Sequence, residues 1–278
     1  DCLEKTLDVD ALLKLGEKAD IDALGSVTVT ADGSSQKCEA QKNADLVLQN
    51  QLSGEKISHS AIRIRLGVAW DEAFCFYYRD NLEFLEKQGV QIVRFSPVHD
   101  KHLPDDLDGL LLGGGYPELY AKALGENETI RNEIRRKAEE DMPILAECGG
   151  YLYLLKELKD ENGTGYERAG VFSGKGYKKG KNSHFGYITV QTERDSLYLK
   201  AGETIKGHEF HYWESTQDEN ELKMQAKKPT GKRSWPCVTV KNQVMAGFPH
   251  LYYPSLEGFG ERFVQACDRY RMKRKRQQ

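Results

Sequence analysis

The sequence predicts an α/β fold in which helices cover both faces of a mostly parallel sheet. From residue 62 onward, short apolar runs alternate with segments of helical periodicity, and alternation at these lengths is typical of βαβ units. One run, Leu107–Leu112, ends in uninterrupted apolar residues, as expected for a parallel strand buried on both faces. Hydrophobic residues make up 39% of the chain and charged residues 30%, which excludes collagen-like, coiled-coil and low-complexity proteins.

The elements follow from local patterns in chain order. Ile62–Ala69 is apolar first at alternate positions and then almost continuously, which predicts a strand. Apolar spacing over 74–89 predicts a helix that stops at Gly89. The later predicted elements are strands over 90–95, 107–112 and 143–147, a charged surface helix over 129–141, strands that start at Phe185 and Gly207, a strand over 243–248, and a solvated, frayed helix over the basic run 269–276.

Residues 1–61 differ from the rest of the chain. Leu7–Gly16 has the apolar spacing of a short amphipathic helix, whereas 31–42 is polar and has too little apolar material to build a core. We therefore expect a compact domain over 62–278, preceded by a partial N-terminal segment that includes a linker. The chain starts at Asp1 without a methionine, and we expect this position to be a fragment boundary.

Charge, hydropathy and cysteine content exclude several kinds of function. The net charge is −3, so no global field exists to collect nucleic acid or an anionic membrane. Apolar runs fall far short of the roughly 20 residues that a membrane span needs. The six cysteines contain no CxxC pair, which argues against a structural zinc site and a disulfide scaffold. We expect a cytoplasmic protein with reduced cysteines.

Ala146–Tyr151 has the pattern of a nucleophile at a sharp strand-to-helix turn. An apolar strand ends, Cys148 follows at once, and two glycines turn the chain into a helical pattern. The positive end of that helix would lower the pKa of the thiol, and the Gly149 N–H would donate to an oxyanion. A buried structural cysteine is the alternative interpretation.

The triple glycine Gly113–Gly115 also follows a predicted strand. A phosphate-binding role is disfavoured because the chain contains no GxxxxGK[ST] motif. The N–H groups of Gly114 and Gly115 are instead expected to complete an oxyanion hole beside Cys148. Both loops stand at the carboxyl ends of strands, where α/β sheets place their sites.

A thiol nucleophile needs a base, and the chain offers seven histidines. His208 and His211 lie in the segment His-Glu-Phe-His, which lacks the HExxH spacing and has the pattern of a strand, so we expect no metal site there. His250 opens a loop after a strand, a position like that of Cys148. The pattern alone leaves both His211 and His250 as candidate bases.

Six motifs stand in one order along the chain: Ala69–Tyr78, Phe95–Pro97, Leu112–Ala121, Ala146–Tyr151, Phe185–Tyr187 and Gly207–Tyr212. Together they resemble the C-terminal glutamine amidotransferase domain of the cobyrinate a,c-diamide synthase family. The resemblance covers residues 62–268 and implies a class I glutamine amidotransferase-like fold. It assigns Cys148 as nucleophile and His250 as base, with His211 and Glu209 as secondary candidates. Tyr252 stands where class I glutaminases often have a glutamate, which implies a Cys–His dyad or a carboxylate placed elsewhere.

The resemblance also implies substrates and partners. The chain would hydrolyse glutamine and pass ammonia to an ATP- and magnesium-binding synthetase domain that amidates the a- and c-acetate carboxylates of cobyrinate. Residues 1–61 would be the C-terminal remnant of that domain plus a linker, and residues 62–278 the glutaminase domain. No cofactor is expected in this chain itself, and a homodimer is compatible with the sequence.

Three alternatives stay open from the sequence. The amidated tetrapyrrole could be nickel sirohydrochlorin or hydrogenobyrinate, because these reactions use the same domain plan. The domain could instead be a non-catalytic docking module for a separate synthetase. The third alternative is a cysteine hydrolase that acts on another substrate.

Overall fold

The computed structural model of the chain describes residues 64–180, 184–217, 222–230 and 233–276. The predictions for residues 1–61, an amphipathic helix followed by a linker, lie outside these ranges. The strands are β1 (Ile64–Ala69), β2 (Val90–Phe95), β3 (Gly109–Leu112), β4 (Ile144–Glu147), β5 (Glu157–Lys159), β6 (Gly165–Glu167), β7 (Lys175–Lys178), β8 (Phe185–Gln191), β9 (Thr204–Phe210), β10 (Trp213–Ser215), β11 (Leu222–Lys227), β12 (Ser234–Lys241), β13 (Val244–Gly247) and β14 (His250–Leu251). The helices are α1 (Arg79–Lys87), α2 (Ala121–Glu126), α3 (Glu128–Glu139), α4 (Gly149–Leu154) and α5 (Glu257–Lys275), with a 3₁₀ turn at Tyr253–Ser255.

Ten strands form the main sheet, in the order β14-β9-β8-β11-β12-β13-β4-β3-β1-β2. The side from β13 to β2 is parallel throughout, which confirms the predicted α/β fold with a parallel core. The side from β12 to β14 is antiparallel. Antiparallel neighbours that follow each other along the chain, such as β12 and β13, need only a short turn and no crossover helix. Asn242, at a φ of 52°, lies in such a turn between β12 and β13.

The apolar core lies on both faces of the parallel strands. Every residue of β3 and β4 is buried. Because neighbouring side chains in a strand point to opposite faces, Leu110 and Leu112 join one core cluster and Leu111 joins the other. Helical side chains in these clusters are Ile130 and Ile134 of α3 in the first, and Phe259 and Phe263 of α5 in the second.

Helix α1 begins later than predicted, at Arg79. The preceding residues form a turn in which the Asp71 carboxylate accepts the backbone N–H groups of Ala73 and Phe74, at 2.9 and 3.1 Å. Phe76 then pairs with Gly114 through two backbone hydrogen bonds. Tertiary pairing with the glycine loop thus replaces the first turn of the helix that the apolar spacing predicts.

The basic C-terminal run is helical and mostly exposed, as predicted, but it is held against the domain, so the predicted fraying was wrong. Tyr270 and Arg271 are buried in α5. Arg274 donates to the Asp108 carboxylate at 3.0 Å and also pairs with Asp106. Neutralisation of this acidic loop explains why the cationic end stays docked. No helix in the described ranges combines the length and apolar character needed to cross a membrane.

A small second sheet, in the order β10-β7-β5-β6, lies apart from the main one. Its strands are three or four residues long and carry exposed polar side chains. Residues 175–182 are polar in sequence, yet Lys175–Lys178 pairs with both β10 and β5. Strands of three or four residues are too short to show an alternation of apolar and polar side chains. Their formation depends on the neighbouring strands with which they pair.

Candidate active site

Cys148 lies at the sharp turn between β4 and α4 that the sequence predicts. Its φ of 50° and ψ of −103° fall in a region that non-glycine residues rarely adopt. The turn is held at both ends, because the Cys148 N–H donates to Gly247 O at 2.8 Å and the Leu152 N–H donates to Cys148 O at 3.0 Å. Backbone strain of this kind is commonly found where a side chain has to be presented for function.

The two glycines after Cys148 allow the glycine loop to approach. A Cβ on Gly150 would collide with the carbonyl oxygen of Leu112, and one on Gly149 would lie 3.0 Å from the nitrogen of Gly115. The Gly150 N–H donates to Gly113 O at 2.9 Å. The loops after β3 and β4 therefore lie directly against each other at the carboxyl ends of neighbouring parallel strands.

His250 packs against the same glycine loop. A Cβ on Gly114 would collide with Cε1 of the His250 ring. The edge of the Phe76 ring meets the imidazole, with 4.7 Å between the ring centroids. The Gly114 N–H donates to Phe76 O at 3.2 Å, and the Phe76 N–H donates to Gly114 O at 3.0 Å. The structure thus brings the loop of Cys148, the glycine loop and His250 together. The Gly114 N–H is already hydrogen-bonded to the Phe76 carbonyl oxygen.

Burial moves the pKa values of the cysteine and histidine in opposite directions. Burial raises the pKa of the Cys148 thiol to about 12; the Glu118 carboxylate adds to this rise, and the Gly149 N–H opposes it. Burial lowers the pKa of His250 to about 4, and nearby His208 and His211 lower it further. At neutral pH the free site therefore holds a protonated thiol and a neutral imidazole, in contrast to the thiolate that the helix-dipole argument favours.

Two buried polar residues that the sequence patterns did not single out hold the segment after His250. The Leu251 N–H and the Tyr253 hydroxyl both donate to Glu147 Oε1, at 3.2 and 3.1 Å. Asn81 donates to Leu251 O at 2.7 Å and accepts the Tyr253 N–H at 2.9 Å. A glutamate at the end of an otherwise apolar strand was the available signal for Glu147.

Burial also governs the protonation of Glu147. It raises the pKa of this carboxyl to about 8, against the lowering effect of the hydrogen bonds from Leu251 and Tyr253. The Glu147 side chain is therefore mainly uncharged at neutral pH. A neutral carboxyl is consistent with its place one residue before Cys148, where a buried charge would be costly.

No carboxylate orients the His250 ring within the described part of the chain. Among these residues, His250 Nδ1 is a buried nitrogen that has no hydrogen-bond partner. Tyr252, which stands at the position of the expected glutamate, donates its hydroxyl to Asp80 at 3.1 Å. Among the described residues, no third side chain is therefore hydrogen-bonded to His250 Nδ1 as in a triad.

The secondary candidates Glu209 and His211 belong to a neighbouring cluster. His211 places Nε2 3.0 Å from Glu209 Oε1 and Nδ1 2.5 Å from Trp213 O. Its ring stacks on Phe248 with 3.9 Å between centroids. Trp235 donates to the second oxygen of Glu209 at 3.0 Å. Both nitrogens of His211 are engaged, so this side chain is poorly placed to deprotonate Cys148.

Cobyrinate a,c-diamide synthases are among the proteins that this chain resembles. The chain is 38% identical over 209 residues to that of Caldanaerobacter subterraneus, which covers 75% of this chain and 46% of the relative. The enzyme of Picrophilus torridus is 34% identical over 267 residues, which covers 96% of this chain and 52% of the relative. The chain thus spans about half the length of the curated relatives that it matches.

Solved structures share the fold at low sequence identity. A Thermoplasma acidophilum protein described as a GMP synthase component matches 77% of this chain and 98% of its own, with a TM-score of 0.52 and 18% identity. PurLQS from Thermotoga maritima matches 75% of this chain and 99% of its own, with a TM-score of 0.50 and 17% identity. These likenesses confirm the predicted class I glutamine amidotransferase-like fold.

The family resemblance seen in the motifs is also confirmed. Residues 65–256 match the CobB/CobQ-like glutamine amidotransferase domain. This range includes both loops at the carboxyl ends of β3 and β4, together with His250. The chain therefore belongs to the family of CobB/CobQ-like glutamine amidotransferase domains.

Proposed function

We propose that this domain hydrolyses glutamine through a covalent intermediate on Cys148, with His250 as the general base. One observation carries the proposal: Cys148 stands in a strained turn against the glycine loop on which the His250 ring packs. A nucleophile on such a turn is exposed to substrate on one side and to backbone N–H donors on the other. Family membership makes glutamine the expected substrate.

The steps follow from the roles of these groups. Neutral His250 takes the proton of the Cys148 thiol, and the thiolate attacks the carboxamide carbon of glutamine. The oxygen of the tetrahedral intermediate accepts hydrogen bonds from backbone N–H groups. The proton on His250 passes to the leaving nitrogen, which departs as ammonia. Water then hydrolyses the glutamyl thioester and releases glutamate.

Gly115 and Gly149 are the better oxyanion donors of the three expected glycines. Their backbones approach each other closely, since a Cβ on Gly149 would lie 3.0 Å from Gly115 N. The Gly114 N–H already donates to Phe76 O. We therefore assign Gly114 a packing role under the His250 ring and leave the oxyanion to the other two N–H groups.

The proton transfer is unfavourable in the free site, because burial raises the pKa of Cys148 and lowers that of His250. Glutamine binding therefore has to bring the pKa values of Cys148 and His250 closer together before the thiolate forms. A partner that changes the surroundings of these two side chains would bring their pKa values closer together as well. We therefore expect slow hydrolysis by the isolated chain and faster hydrolysis when the rest of the enzyme is present.

We propose that the ammonia serves an ATP-dependent amidoligase that amidates the a- and c-acetate carboxylates of cobyrinate. The support is the match to cobyrinate a,c-diamide synthases, of which this chain spans about half. ATP and Mg²⁺ would bind to the synthetase part, to which residues 1–61 would belong, with the glutaminase domain over 62–278. Nickel sirohydrochlorin and hydrogenobyrinate are the alternative acceptors, and amidation assays with each corrinoid or related tetrapyrrole would separate them.

A glutaminase assay with matched cysteine variants tests the reaction. Glutamate release should be lost in Cys148→Ala and retained in Cys75→Ala, because Cys75 is an exposed free cysteine. A glutamine-mimicking chloroketone should label Cys148 alone, as read by peptide mass spectrometry. Equal glutamate release from wild type and Cys148→Ala would favour the non-catalytic docking module. Labelling by probes unrelated to glutamine, without labelling by the chloroketone, would favour another cysteine hydrolase.

A further inference from the structure

His184, Glu209 and His211 form a cluster that the proposed glutamine hydrolysis does not use. His211 Nε2 lies 3.0 Å and His184 Nδ1 3.8 Å from the same oxygen, Glu209 Oε1. The three atoms all lie within 4.8 Å of one another. Glu209 and His211 are buried, whereas the His184 side chain is 22% exposed. Three side chains of metal-binding types thus converge, and of the three only His184 is partly exposed.

The hydrogen-bond pattern of His211 leaves a lone pair facing Glu209. His211 Nδ1 lies 2.5 Å from the Trp213 carbonyl oxygen, which only accepts hydrogen bonds, so Nδ1 is assigned the proton. In the neutral ring, Nε2 then presents a lone pair to Glu209 Oε1, which is also an acceptor. Two acceptors at this distance need a positive centre between them, either a second proton on the ring or a metal ion.

The surroundings are those of oriented metal ligands. A ligating histidine usually donates its other N–H to a carbonyl or carboxylate, as His211 does to Trp213. Trp235 donates to Glu209 Oε2 at 3.0 Å and so leaves Oε1 for the cation. The His184 ring stacks on Trp235 with 4.2 Å between centroids. These contacts hold the three ligand atoms in place before an ion arrives.

Strand geometry explains how the cluster forms. Glu209 lies near the end of β9, and His211 directly follows that strand. The two residues are two positions apart, as residues that share one face of an extended chain are. His184 directly precedes β8, the antiparallel neighbour of β9. The expectation of no metal site rested on the pair His208 and His211, which lacks the HExxH spacing of helices. The converging set instead takes Glu209 from between these two histidines and His184 from the residue before the neighbouring strand.

We propose that His184, Glu209 and His211 bind one divalent transition-metal ion, for which Zn²⁺ is the best match. Ligands at 2.0–2.1 Å from a tetrahedral zinc ion lie about 3.3 Å apart. The two separations from Glu209 Oε1, 3.0 and 3.8 Å, bracket that value, and all three ligand atoms lie within 4.8 Å of one another. Two imidazoles and one carboxylate suit zinc better than magnesium or calcium, which prefer oxygen ligands. Three protein ligands would leave the fourth position of a tetrahedral ion for another ligand.

Zinc titration of the whole chain tests the site directly. After removal of metal with a chelator, calorimetry should show about one equivalent of Zn²⁺ bound. Saturating Zn²⁺ should raise the Tm by about 5 °C, because an ion that binds only the folded state stabilises it. Co²⁺ in place of zinc should give d–d absorption without a thiolate-to-cobalt charge-transfer band, which distinguishes nitrogen and oxygen ligands from cysteine.

Single substitutions locate the bound ion. His184→Ala changes a partly exposed side chain, so the fold should persist while zinc affinity falls at least about 10-fold. Trp235→Phe removes the donor to Glu209 and should weaken binding by a smaller factor. His102→Ala is the matched control, because His102 pairs with Glu133 on the surface, outside this cluster. Cys148→Ser should leave the affinity unchanged and so exclude binding at the thiol.

Three results would overturn the proposal. The first is the absence of zinc binding at about 100 μM metal, which corresponds to a site weaker than a Kd of that order. The second is binding that survives His184→Ala, and the third is binding that disappears in Cys148→Ser. Because the readouts are metal stoichiometry, Tm and absorption, they do not depend on glutaminase activity.

Discussion

Glu147 Oε1 accepts the backbone N–H of Leu251 at 3.2 Å, and this bond joins the residue before Cys148 to the residue after His250. The same oxygen accepts the Tyr253 hydroxyl at 3.1 Å. The proposed nucleophile and base come from separate strands that are far apart along the chain, β4 and β14. A single buried carboxyl therefore sets the spacing of two segments on which the proposed chemistry depends.

We expect Glu147→Ala to reduce both stability and glutaminase activity. The substitution leaves the Leu251 N–H and the Tyr253 hydroxyl without their acceptor, and each unsatisfied buried group costs about 1–3 kcal/mol. A shift of the His250 segment by about 1 Å would lower kcat about 100-fold. Urea unfolding and glutamate release measure the two effects. Glu147→Gln keeps an acceptor oxygen and should lose much less; equal losses in both variants would contradict a role in positioning.

Glu147 should also make stability fall as pH rises. Burial raises the pKa of this carboxyl to about 8 in the folded protein, whereas the unfolded value is about 4.3. Between these values the folded state binds more protons than the unfolded state, so the free energy of unfolding decreases with pH. The free energy of unfolding should be measured for wild type and Glu147→Gln at several pH values. From about pH 5 to about pH 8, the wild type should lose stability relative to the variant. A constant difference would mean that Glu147 does not titrate in this range.

His250 should stay active as a base at unusually acidic pH. Burial lowers its pKa to about 4, so the imidazole is neutral and able to accept a proton through most of the acidic range. The pH dependence of kcat/KM for glutamine reports the pKa values of the free enzyme. The midpoint of its acid limb should therefore lie well below pH 6.5, the ordinary pKa of histidine being about 6.5. A limb centred at that ordinary value would show that His250 is solvated in the active protein or that another group is the base.

Gly114→Ala should damage glutamine hydrolysis more than it damages folding. The added Cβ would collide with Cε1 of His250, and displacement of the ring by about 1 Å should lower kcat about 100-fold. Gly258→Ala is the matched control, since a Cβ there would meet only the flexible end of the Arg262 side chain. Thermal unfolding checks that both variants fold. Unchanged kcat in Gly114→Ala would show that the His250 ring need not rest on this glycine.

Arg274→Ala should destabilise the domain, whereas Lys273→Ala should not. Arg274 donates to Asp108, a nearly fully buried carboxylate, and loss of one partner of a buried pair leaves an unpaired charge. We expect a loss of about 2 kcal/mol, as for other charged hydrogen bonds. Lys273 pairs with Asp141 at the surface, where such pairs contribute about 0–1 kcal/mol. Equal effects on chemical unfolding would indicate that the C-terminal end is not docked through Arg274.

The positions of the core strands could be predicted from the sequence, whereas their pairing could be predicted only in part. The strand prediction over 90–95 coincides with β2, and the run at Leu107–Leu112 ends in β3. The antiparallel side of the sheet was not predicted, because local periodicity reports whether a segment is a strand and does not report its neighbour. The late start of α1 has the same cause, since Phe76 pairs with a loop far along the chain.

The sequence by itself determined the turn at Cys148, because an apolar strand followed by cysteine and two glycines has few other solutions, and the structure places Cys148 at a φ of 50°. It also singled out the triple glycine, and it left His211 and His250 as candidate bases, between which the family resemblance chose His250. Only the tertiary structure decided that the imidazole rests on Gly114, that Phe76 occupies the Gly114 N–H, and that Glu147 holds the segment after His250. These relations join residues from separate strands and loops, and desolvation and hydrogen bonding at such contacts arise only when the chain has folded.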